Sequence, residues 1–402
     1  MSAAGAADTS PFLIGFSGGG DSRALLQHAL DTVKDREIVA CVVDHGLREG
    51  SKEDGERAAA MAREAGARAE IKTLTWPNDP QVSQAAARTG RMFALTTLAR
   101  AVGASDIYLA HTMDDQAETL AMRASRASRW RGLSGMMPSA PVPLWPSGRN
   151  LRLRRPMLDT RRDALRDALR ARDISWIEDP SNDAERFARV RVRKLMNEWE
   201  AHGAGVARWA SIAARIAPIS AAIDRAARAL LKHALSFTDS SMTLNPGTYM
   251  SAPPDVRAPA LAALIAAASG ARGGADWEQL VRLDSAILDG EAKGGTLGGA
   301  RFFASGNALV FTRDPGAVLG REGVAALASV PLQMGQQVVW DGRVALTARE
   351  IGWQAAPGIE GAAPLLLRPR TAGRLTLREG MSQGVVHAEW LLEERIAHLL
   401  WR

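Results

Sequence analysis

Apolar residues in the first part of the chain fall into short blocks separated by longer amphipathic segments. The blocks have the length and composition of buried strands and span residues 12–16, 37–45, 69–76 and 106–111. The segments between them place apolar residues at helical spacing and begin near residues 23, 51, 81 and 114. Short buried strands alternating with helices of this length predict an α/β domain with a doubly wound parallel sheet.

The pattern changes beyond about residue 203, where alanine-rich helical segments replace the alternation. Two such segments span residues 205–235 and 257–268, and a third helix spans 276–288. Two apolar segments then flank Ser305-Gly306-Asn307, which predicts a β-hairpin. This part of the chain is therefore predicted to be a mainly helical module that carries a hairpin.

The last part of the chain, residues 331–402, alternates short strands with turns. The strands include residues 337–340 and 374–378, and a closing helix is predicted over 388–401. We therefore predict three domains, namely an α/β domain over 1–203, a mainly helical module over 204–315 and a small α+β region over 316–402.

A glycine-rich loop, Ser17-Gly18-Gly19-Gly20-Asp21-Ser22, joins the first predicted strand to the first predicted helix. Its glycines remove Cβ atoms where the backbone turns, so that consecutive N–H groups can approach an anion at a helix N-terminus. The serine hydroxyls can donate to phosphate, and a carboxylate beside phosphates requires a divalent cation between them. The Walker and dinucleotide-binding patterns are both absent, so the loop predicts a phosphate site of another kind. A glycine-rich turn without a ligand is the alternative.

Polar residues also follow two other predicted strands. They are Asp44 and His45 after the second strand, and His111, Asp114, Asp115 and Glu118 at and after the end of the fourth. Because ligands bind beyond the carboxyl ends of the strands in such sheets, we expect these side chains to converge on the glycine loop. Two carboxylates that face a phosphate loop are typical of a Mg²⁺ site. Helix caps and first-turn acids that complement the helix dipole are the alternatives.

The glycine loop resembles the SGGxDS loop of the ATP-pyrophosphatase, or PP-loop, superfamily, and further motifs narrow the resemblance to the tRNA(Ile)-lysidine synthases. These motifs are VDHGLREGS at 43–51, AARTGR at 86–91, AHTMDDQAET at 110–119, GLSGM at 132–136, RPML at 155–158, WIEDPSN at 176–182 and RVR at 189–191. The similarity spans residues 12 to about 196 and resumes at 295–300. The chain departs from the family in RASR at 126–129, where the family has RGSG, and at Met92, where the family has tyrosine.

The resemblance implies an activity. Enzymes of this family transfer AMP from ATP to the C2 oxygen of the wobble cytidine in tRNA(Ile) with a CAU anticodon, and free L-lysine then displaces AMP. The resemblance also implies that the helical module with the hairpin recognises tRNA.

The resemblance assigns site residues in four groups. ATP is bound by Ser17, Gly18, Gly19, Gly20, Asp21, Ser22, Asp44, His45 and His111. Mg²⁺ is held by Asp21 and Asp115, which are thereby catalytic. Arg189 and Arg191 are the remaining catalytic residues, since they offset charge on the transferred group. Asp114 or Glu118 binds or deprotonates the lysine amine.

Residues 149–194 are the most basic part of the chain. The arginines from Arg161 to Arg172 are interleaved with Asp163 and Asp167, which predicts a solvated charged helix capped by Thr160. In residues 189–193 arginines alternate with valines, which predicts an extended segment with several arginines on one side. A segment of this charge favours a polyanionic partner such as tRNA.

Composition narrows the cellular setting. The chain has 402 residues, 46% hydrophobic residues and a formal charge of +6. It shows neither an apolar run as long as a membrane span nor a signal-peptide pattern in its first ten residues, so we expect a cytoplasmic protein that does not bind a membrane. The single cysteine, Cys41, lies in an apolar strand, which excludes a disulfide framework and fits a reducing compartment.

Two other functions fit parts of this pattern. A PP-loop tRNA thiolase of the 2-thiocytidine type activates a base in the same way, but it needs cysteines to carry sulfur, and Cys41 is poorly placed for that. A non-catalytic basic RNA-binding protein would not need an intact phosphate loop with Asp21 and Asp115. The sequence leaves the oligomeric state open.

Overall fold

The structure is a computed structural model of the chain. It describes residues 9–76, 82–125, 130–178, 188–238, 240–270, 274–321, 325–358, 364–368, 373–376 and 385–401, with the backbone alone at 188–190, 197, 368 and 373–376. The chain forms two compact units, Met1–Ser220 and Ala221–Arg402. The division into three domains at 203 and 315 stays a prediction.

The first unit is an α/β domain. Its strands are β1 (Phe12–Phe16), β2 (Ile38–Asp44), β3 (Arg68–Thr73), β4 (Asp106–Tyr108), β5 (Ser139–Pro141) and β6 (Arg152–Arg154). Its helices are α1 (Gly20–Thr32), α2 (Ser51–Glu64), α3 (Gln84–Val102), α4 (Met113–Ala124), α5 (Trp130–Leu133), α6 (Arg162–Arg170) and α7 (Ala188–Glu200), and it includes the start of α8 (Val206–Ala234). The strands form one sheet in the order β3-β2-β1-β4-β6-β5, parallel except for β5. The predicted doubly wound parallel sheet is confirmed.

Strand β1 lies at the centre of this sheet because both of its faces are apolar. Ile14 and Phe16 pack with Leu25 of α1 on one face, and Leu13 packs with Leu95 of α3 on the other. All five residues of β1 are buried. Burial on both faces fixes the strand, so the position where the glycine loop begins is fixed by the core.

Two local predictions in this unit are wrong. Residues 189–193 lie in α7 rather than in an extended segment, because Val192 and Met196 share a helix face that packs against Ala117 of α4. Thr160 does not cap α6, which has Arg161 at its N-cap position without a side-chain cap.

The second unit contains the end of α8 and the rest of the chain. Its helices are α9 (Pro246–Met250), α10 (Pro254–Ser269), α11 (Trp277–Leu288), α12 (Pro315–Leu319) and α13 (Leu392–Leu399). Its strands are β7 (Leu235–Phe237), β8 (Ser241–Leu244), β9 (Gly294–Leu297), β10 (Ala300–Ser305), β11 (Ala308–Arg313), β12 (Val330–Leu332), β13 (Gln337–Trp340), β14 (Val344–Ala348), β15 (Trp353–Pro357), β16 (Pro364–Arg368), β17 (Gly373–Thr376) and β18 (Val386–Trp390). They form sheets in the orders β7-β8-β11-β10-β9, β12-β15-β16-β17 and β13-β14-β18.

The predicted hairpin of the second unit is confirmed, since β10 pairs antiparallel with β11 and Ser305 lies opposite Ala308. The predicted helix over 388–401 is wrong in its first part. Residues 386–390 form β18, in which Ala388 lies opposite Leu346 of β14, and the helix begins only at Leu392.

Helix α8 has the length and apolar composition of a membrane span, contrary to the prediction that no apolar run is that long; among the described residues no other helix does. Length and composition are weak grounds for a span. Between Arg208 and Asp224 the helix has only fifteen residues, and Arg215 interrupts them. A span needs about 20 predominantly apolar residues, so the charges disfavour a transmembrane assignment.

Candidate active site

The glycine loop leaves β1 at Phe16 and enters α1 at Gly20. Its two serines are bonded within the loop. The Ser22 hydroxyl donates to the carbonyl of Gly19 at 2.9 Å and lies 3.2 Å from the Ser17 hydroxyl. The loop is therefore a defined turn at the N-terminus of α1, the arrangement that binds phosphate.

Residues of α6 and of the segment after it lie against this loop. Ile177 donates its backbone N–H to the carbonyl of Gly18 at 2.9 Å, and Gly18 adopts a left-handed conformation with φ of 79°. Arg166 of α6 lies beside Gly20, and its buried Nε has no hydrogen-bond partner. An unpartnered guanidinium N–H beside a phosphate loop is a donor for an anion. The sequence alone did not predict this role for Arg166.

Two aspartates predicted to hold a metal face each other across an arginine. Arg162 Nε donates to Asp21 Oδ2 at 3.0 Å, and Arg162 Nη2 donates to Asp115 Oδ1 at 3.2 Å. The carboxylates of α1 and α4 therefore converge, as the sheet topology predicted, and α6 supplies a cation between them.

A capping box fixes the position of Asp115. Thr112 caps α4 by accepting the Asp115 N–H, and Asp115 Oδ2 accepts from the backbone N–H and the hydroxyl of Thr112. The alternative role predicted for these residues, a helix cap, is thus correct for one carboxylate oxygen of Asp115. The other oxygen, Oδ1, accepts from Arg162.

Glu118 and Asp114 extend the acidic cluster along α4. The Glu118 side chain is only 2% exposed, and its Oε1 accepts from Arg193 Nε at 2.9 Å and lies 3.5 Å from Arg162 Nη1. Its Oε2 is buried without a partner. Asp114 Oδ2 accepts the backbone N–H of Arg162 at 2.8 Å, so Asp114 is the acid that holds the start of α6.

The electrostatics of the cluster follow from burial and charge. Burial raises the pKa of Asp21 by more than the attraction of Arg162 lowers it, and the charge of Asp115 adds to the rise. Burial lowers the pKa of Arg162, but the attraction of Asp115, Asp21 and Glu118 outweighs burial and raises it overall. The arginine therefore stays protonated among the carboxylates.

The other predicted ATP-binding residues are Asp44, the last residue of β2, His45 directly after it, and His111 after β4. Asp44 is buried, and its Oδ1 accepts the Gly46 N–H at 2.9 Å. The backbone carbonyl of His45 accepts from Trp76 Nε1. The ring Nδ1 of His45 is buried without a partner, and burial together with the charge of Arg91 lowers the pKa of the ring.

The ring of His111 is held by an arginine. Its Nδ1 accepts from Arg155 Nε at 3.3 Å, so the ring is oriented by the RPML segment. Cys41 is buried in β2, and burial raises the pKa of its thiol to about 12.

Only some of the arginines in the basic segment, residues 149–194, are exposed. The predicted solvated helix is wrong at Arg162, whose side chain is 12% exposed, whereas Arg170 and Arg172 are exposed and paired with Asp167 and Asp31. The partners of Arg162 are far away in sequence, which is why helical periodicity could not reveal them.

The predicted catalytic arginines lie on α7. The side chain of Arg189 lies outside what the structure describes, and that of Arg191 is exposed. Arg193, which was not predicted, reaches Glu118. Residues 126–129 and 179–187, which include RASR and all four residues of DPSN, lie outside the described residues.

The donor set can be tested against a metal. Within the described residues, three or more His, Cys, Asp or Glu side chains nowhere form a metal cluster. Asp21 Oδ1 is buried without a partner. The other oxygen of Asp21 and one oxygen of Asp115 already accept hydrogen bonds from a single cation, the guanidinium of Arg162. Two carboxylates with phosphate oxygens are a usual set for Mg²⁺, so the residues fit that ion.

A parallel sheet whose first strand enters a glycine–serine loop facing paired aspartates defines an ATP-binding domain of the PP-loop class, and residues 2–199 match the family model described as a PP-loop domain. The chain is 35% identical over 370 residues to a tRNA(Ile)-lysidine synthase of Caulobacter vibrioides, a match that covers 91% of this chain and 79% of that protein. It is 34% identical over 306 residues to the tRNA(Ile)-lysidine synthase of Hyphomonas neptunium, covering 73% of this chain and 79% of that protein. The chain belongs to the tRNA(Ile)-lysidine synthase family.

A solved structure, the U34-tRNA thiolase NcsA from Methanococcus maripaludis, is similar with a TM-score of 0.44 and 15% identity, covering 52% of this chain and 72% of that chain. A likeness of this degree has no bearing on activity.

Proposed function

We propose that the chain ligates free L-lysine to C2 of the wobble cytidine in tRNA(Ile) with a CAU anticodon, at the expense of ATP. The observation that supports it is the convergence of the PP-loop with Asp21 and Asp115, in a chain of this family. The substrates place the reaction in the cytoplasm.

The proposed reaction has two steps. The cytidine C2 oxygen attacks the α-phosphorus of ATP, and pyrophosphate leaves with the electrons of the broken P–O bond. The lysine amine then attacks C2, loses a proton, and AMP departs with the former carbonyl oxygen. Adenylation is needed because that oxygen is otherwise a poor leaving group.

The chain's own groups serve the first step by binding and orientation. The loop N–H groups after Ser17 and the N–H of Arg166 would donate to the pyrophosphate of ATP. Asp21 and Asp115 would hold Mg²⁺, which would supply a Lewis acid that neutralises phosphate charge.

The second step needs a neutral lysine amine, and α4 offers the nearest acid. Glu118 is buried with one oxygen unpartnered, which makes it a site for an ammonium group or a proton acceptor. Asp114 is less suited, because it already accepts the backbone N–H of Arg162.

The test is mass analysis of the nucleosides of tRNA(Ile) after incubation with the protein, ATP and lysine. A mass gain equal to lysine less water supports the proposal, whereas a gain matching sulfur in place of oxygen contradicts it. Pyrophosphate release with lysine withheld isolates the first step, which Asp21→Asn and Asp115→Asn should each abolish while tRNA binding survives. Normal release by Asp115→Asn would move Asp115 from the metal to lysine handling.

A further inference from the structure

Arg162 occupies the place where the two aspartates converge. Its Nε bonds Asp21 Oδ2 at 3.0 Å, and its Nη2 bonds Asp115 Oδ1 at 3.2 Å. Asp115 has no second oxygen to offer, because its Oδ2 is engaged with Thr112. A metal that binds Asp115 must therefore take the oxygen that Arg162 holds.

The backbone of Arg162 is held independently of its side chain. The N–H of Arg162 is bonded to Asp114, and α6 begins at this residue. Loss of the guanidinium contacts therefore does not release the helix. The guanidinium can swing while its Cα stays in place.

Charge balance explains why a cation is needed when no metal is bound. Asp21, Asp115 and Glu118 lie within reach of one guanidinium and are largely buried, so that without a cation they would repel one another.

We propose that Arg162 is a displaceable internal counter-ion, which competes with Mg²⁺ for Asp115 Oδ1 and gives up that oxygen when the metal and nucleotide bind. This inference rests on the metal site of the proposed function. Its consequence is that the unliganded enzyme binds free Mg²⁺ weakly, because a metal ion that takes Asp115 Oδ1 must first displace a charge-assisted hydrogen bond.

The test uses the full chain and Mg²⁺ alone, without nucleotide or tRNA. Thermal unfolding is followed from a chelator-containing buffer through a MgCl₂ titration, for the wild type and Arg162→Gln. The variant should unfold at a lower temperature in chelator, gain more from Mg²⁺, and reach half-saturation at a concentration lower by roughly ten- to hundredfold, as expected for one charge-assisted hydrogen bond.

Arg172→Gln is the matched control, since Arg172 makes two hydrogen bonds to Asp31 at an exposed site. Its Mg²⁺ midpoint should equal that of the wild type. If Arg162→Gln does not fold, Arg162→Lys takes its place, because lysine keeps the charge but loses the planar fork. It should show a smaller decrease in the midpoint.

An unchanged or higher Mg²⁺ midpoint in the Arg162 variant that folds would overturn the inference. Asp115→Asn should lose the Mg²⁺ response, and its retention would overturn the metal site on which the inference rests. Lysidine formation by the wild type is assayed in parallel. Product formation with equal midpoints would refute the counter-ion role and leave the proposed function standing.

Discussion

Gly18→Ala tests whether the glycine loop has the geometry of a phosphate cradle. Gly18 has φ of 79°, and a Cβ there would lie 2.6 Å from Ile177 Cδ1 and 3.2 Å from the Cβ of Ala58. The left-handed conformation costs alanine about 1–2 kcal/mol. Overpacking adds about 1–3 kcal/mol. The cost lies toward the lower end of this range because the Ile177 methyl group can move away. Part of the cost stays because Ala58 is fixed on α2.

The two contributions predict a loss of about 2–4 kcal/mol in the free energy of unfolding. For a unit of this size that corresponds to a melting temperature lower by roughly 5–15 °C. Gly19→Ala is the control, because Gly19 has φ of −70° and its Cβ would meet nothing closer than Ser17 Oγ at 3.6 Å. It should stay within about 1 kcal/mol of the wild type, since the N-cap preference for glycine and the stiffer unfolded chain offset each other.

The assay is thermal unfolding of both variants without ligand, followed by ATP titration. Gly18→Ala should lose both stability and ATP binding. Gly19→Ala should keep its stability and lose ATP affinity, because its methyl group would stand where the pyrophosphate meets the loop N–H groups. Equal melting temperatures for the two variants would refute the steric reasoning, and full ATP binding by both would refute the phosphate site.

Three further predictions concern the rest of the chain. Cys41→Ala should keep lysidine formation and lose about 1–2 kcal/mol of stability, and the native thiol should resist alkylation, since burial raises its pKa to about 12; a folded, substrate-binding but inactive variant would restore the sulfur-transfer alternative. Burial raises the pKa of Asp284, but hydrogen bonds from Arg257 and Tyr249 outweigh it and lower the pKa overall. The Arg257–Asp284 ion pair therefore contributes stability above pH about 4, which is lost as pH falls through the folded-state pKa of Asp284. Asp284→Asn should lower the free energy of unfolding by about 3 kcal/mol at neutral pH, as measured by denaturant unfolding, and should flatten that acid dependence. A chain ending at Ser220 should bind ATP and bind tRNA much more weakly in a gel shift, and unchanged tRNA affinity would contradict the domain assignment.

Local sequence chemistry was enough to predict the strand, loop and helix around Ser17–Ser22 and the convergence of Asp21 with Asp115. Those features depend on burial of β1 and on the rule that parallel strands present their carboxyl ends together. The sequence could not predict Arg162, because its acidic partners lie 47 and 141 positions away. A helix of alternating charges looks the same whether it faces water or a cluster of buried carboxylates.

The two wrong element assignments have a related cause. Residues 189–193 alternate with a period of two, but Val192 and Met196 pack on α4 one helical turn apart, and that tertiary packing decides in favour of α7. At 386–390 the apolar pattern suits a helix as well as a strand, and pairing with β14 decides in favour of β18. In both places long-range contacts override the local pattern.

The helical form of 189–193 changes which arginine meets which group. Two residues along a helix correspond to a rotation of about 200°, so the side chains of Arg191 and Arg193 point in nearly opposite directions. They therefore cannot contact the same group, as they could from one side of an extended segment. Arg193 Nε is bonded to Glu118, whereas Arg191 was assigned by resemblance to the transferred phosphate, and that assignment stays a prediction.

Arg193→Gln should therefore slow the attack of lysine, because Glu118 loses the partner that orients it. Arg191→Gln should slow pyrophosphate release in the absence of lysine. Each change removes a charge-assisted contact of about 1.5–3 kcal/mol, which corresponds to a rate lower by roughly 10- to 100-fold in the step concerned. The measurement is pyrophosphate release with lysine withheld, followed by a lysine chase of the adenylated tRNA. If Arg193→Gln blocks pyrophosphate release and Arg191→Gln does not, the phosphate role belongs to Arg193, and the position of α7 over Glu118 serves the first step rather than the second.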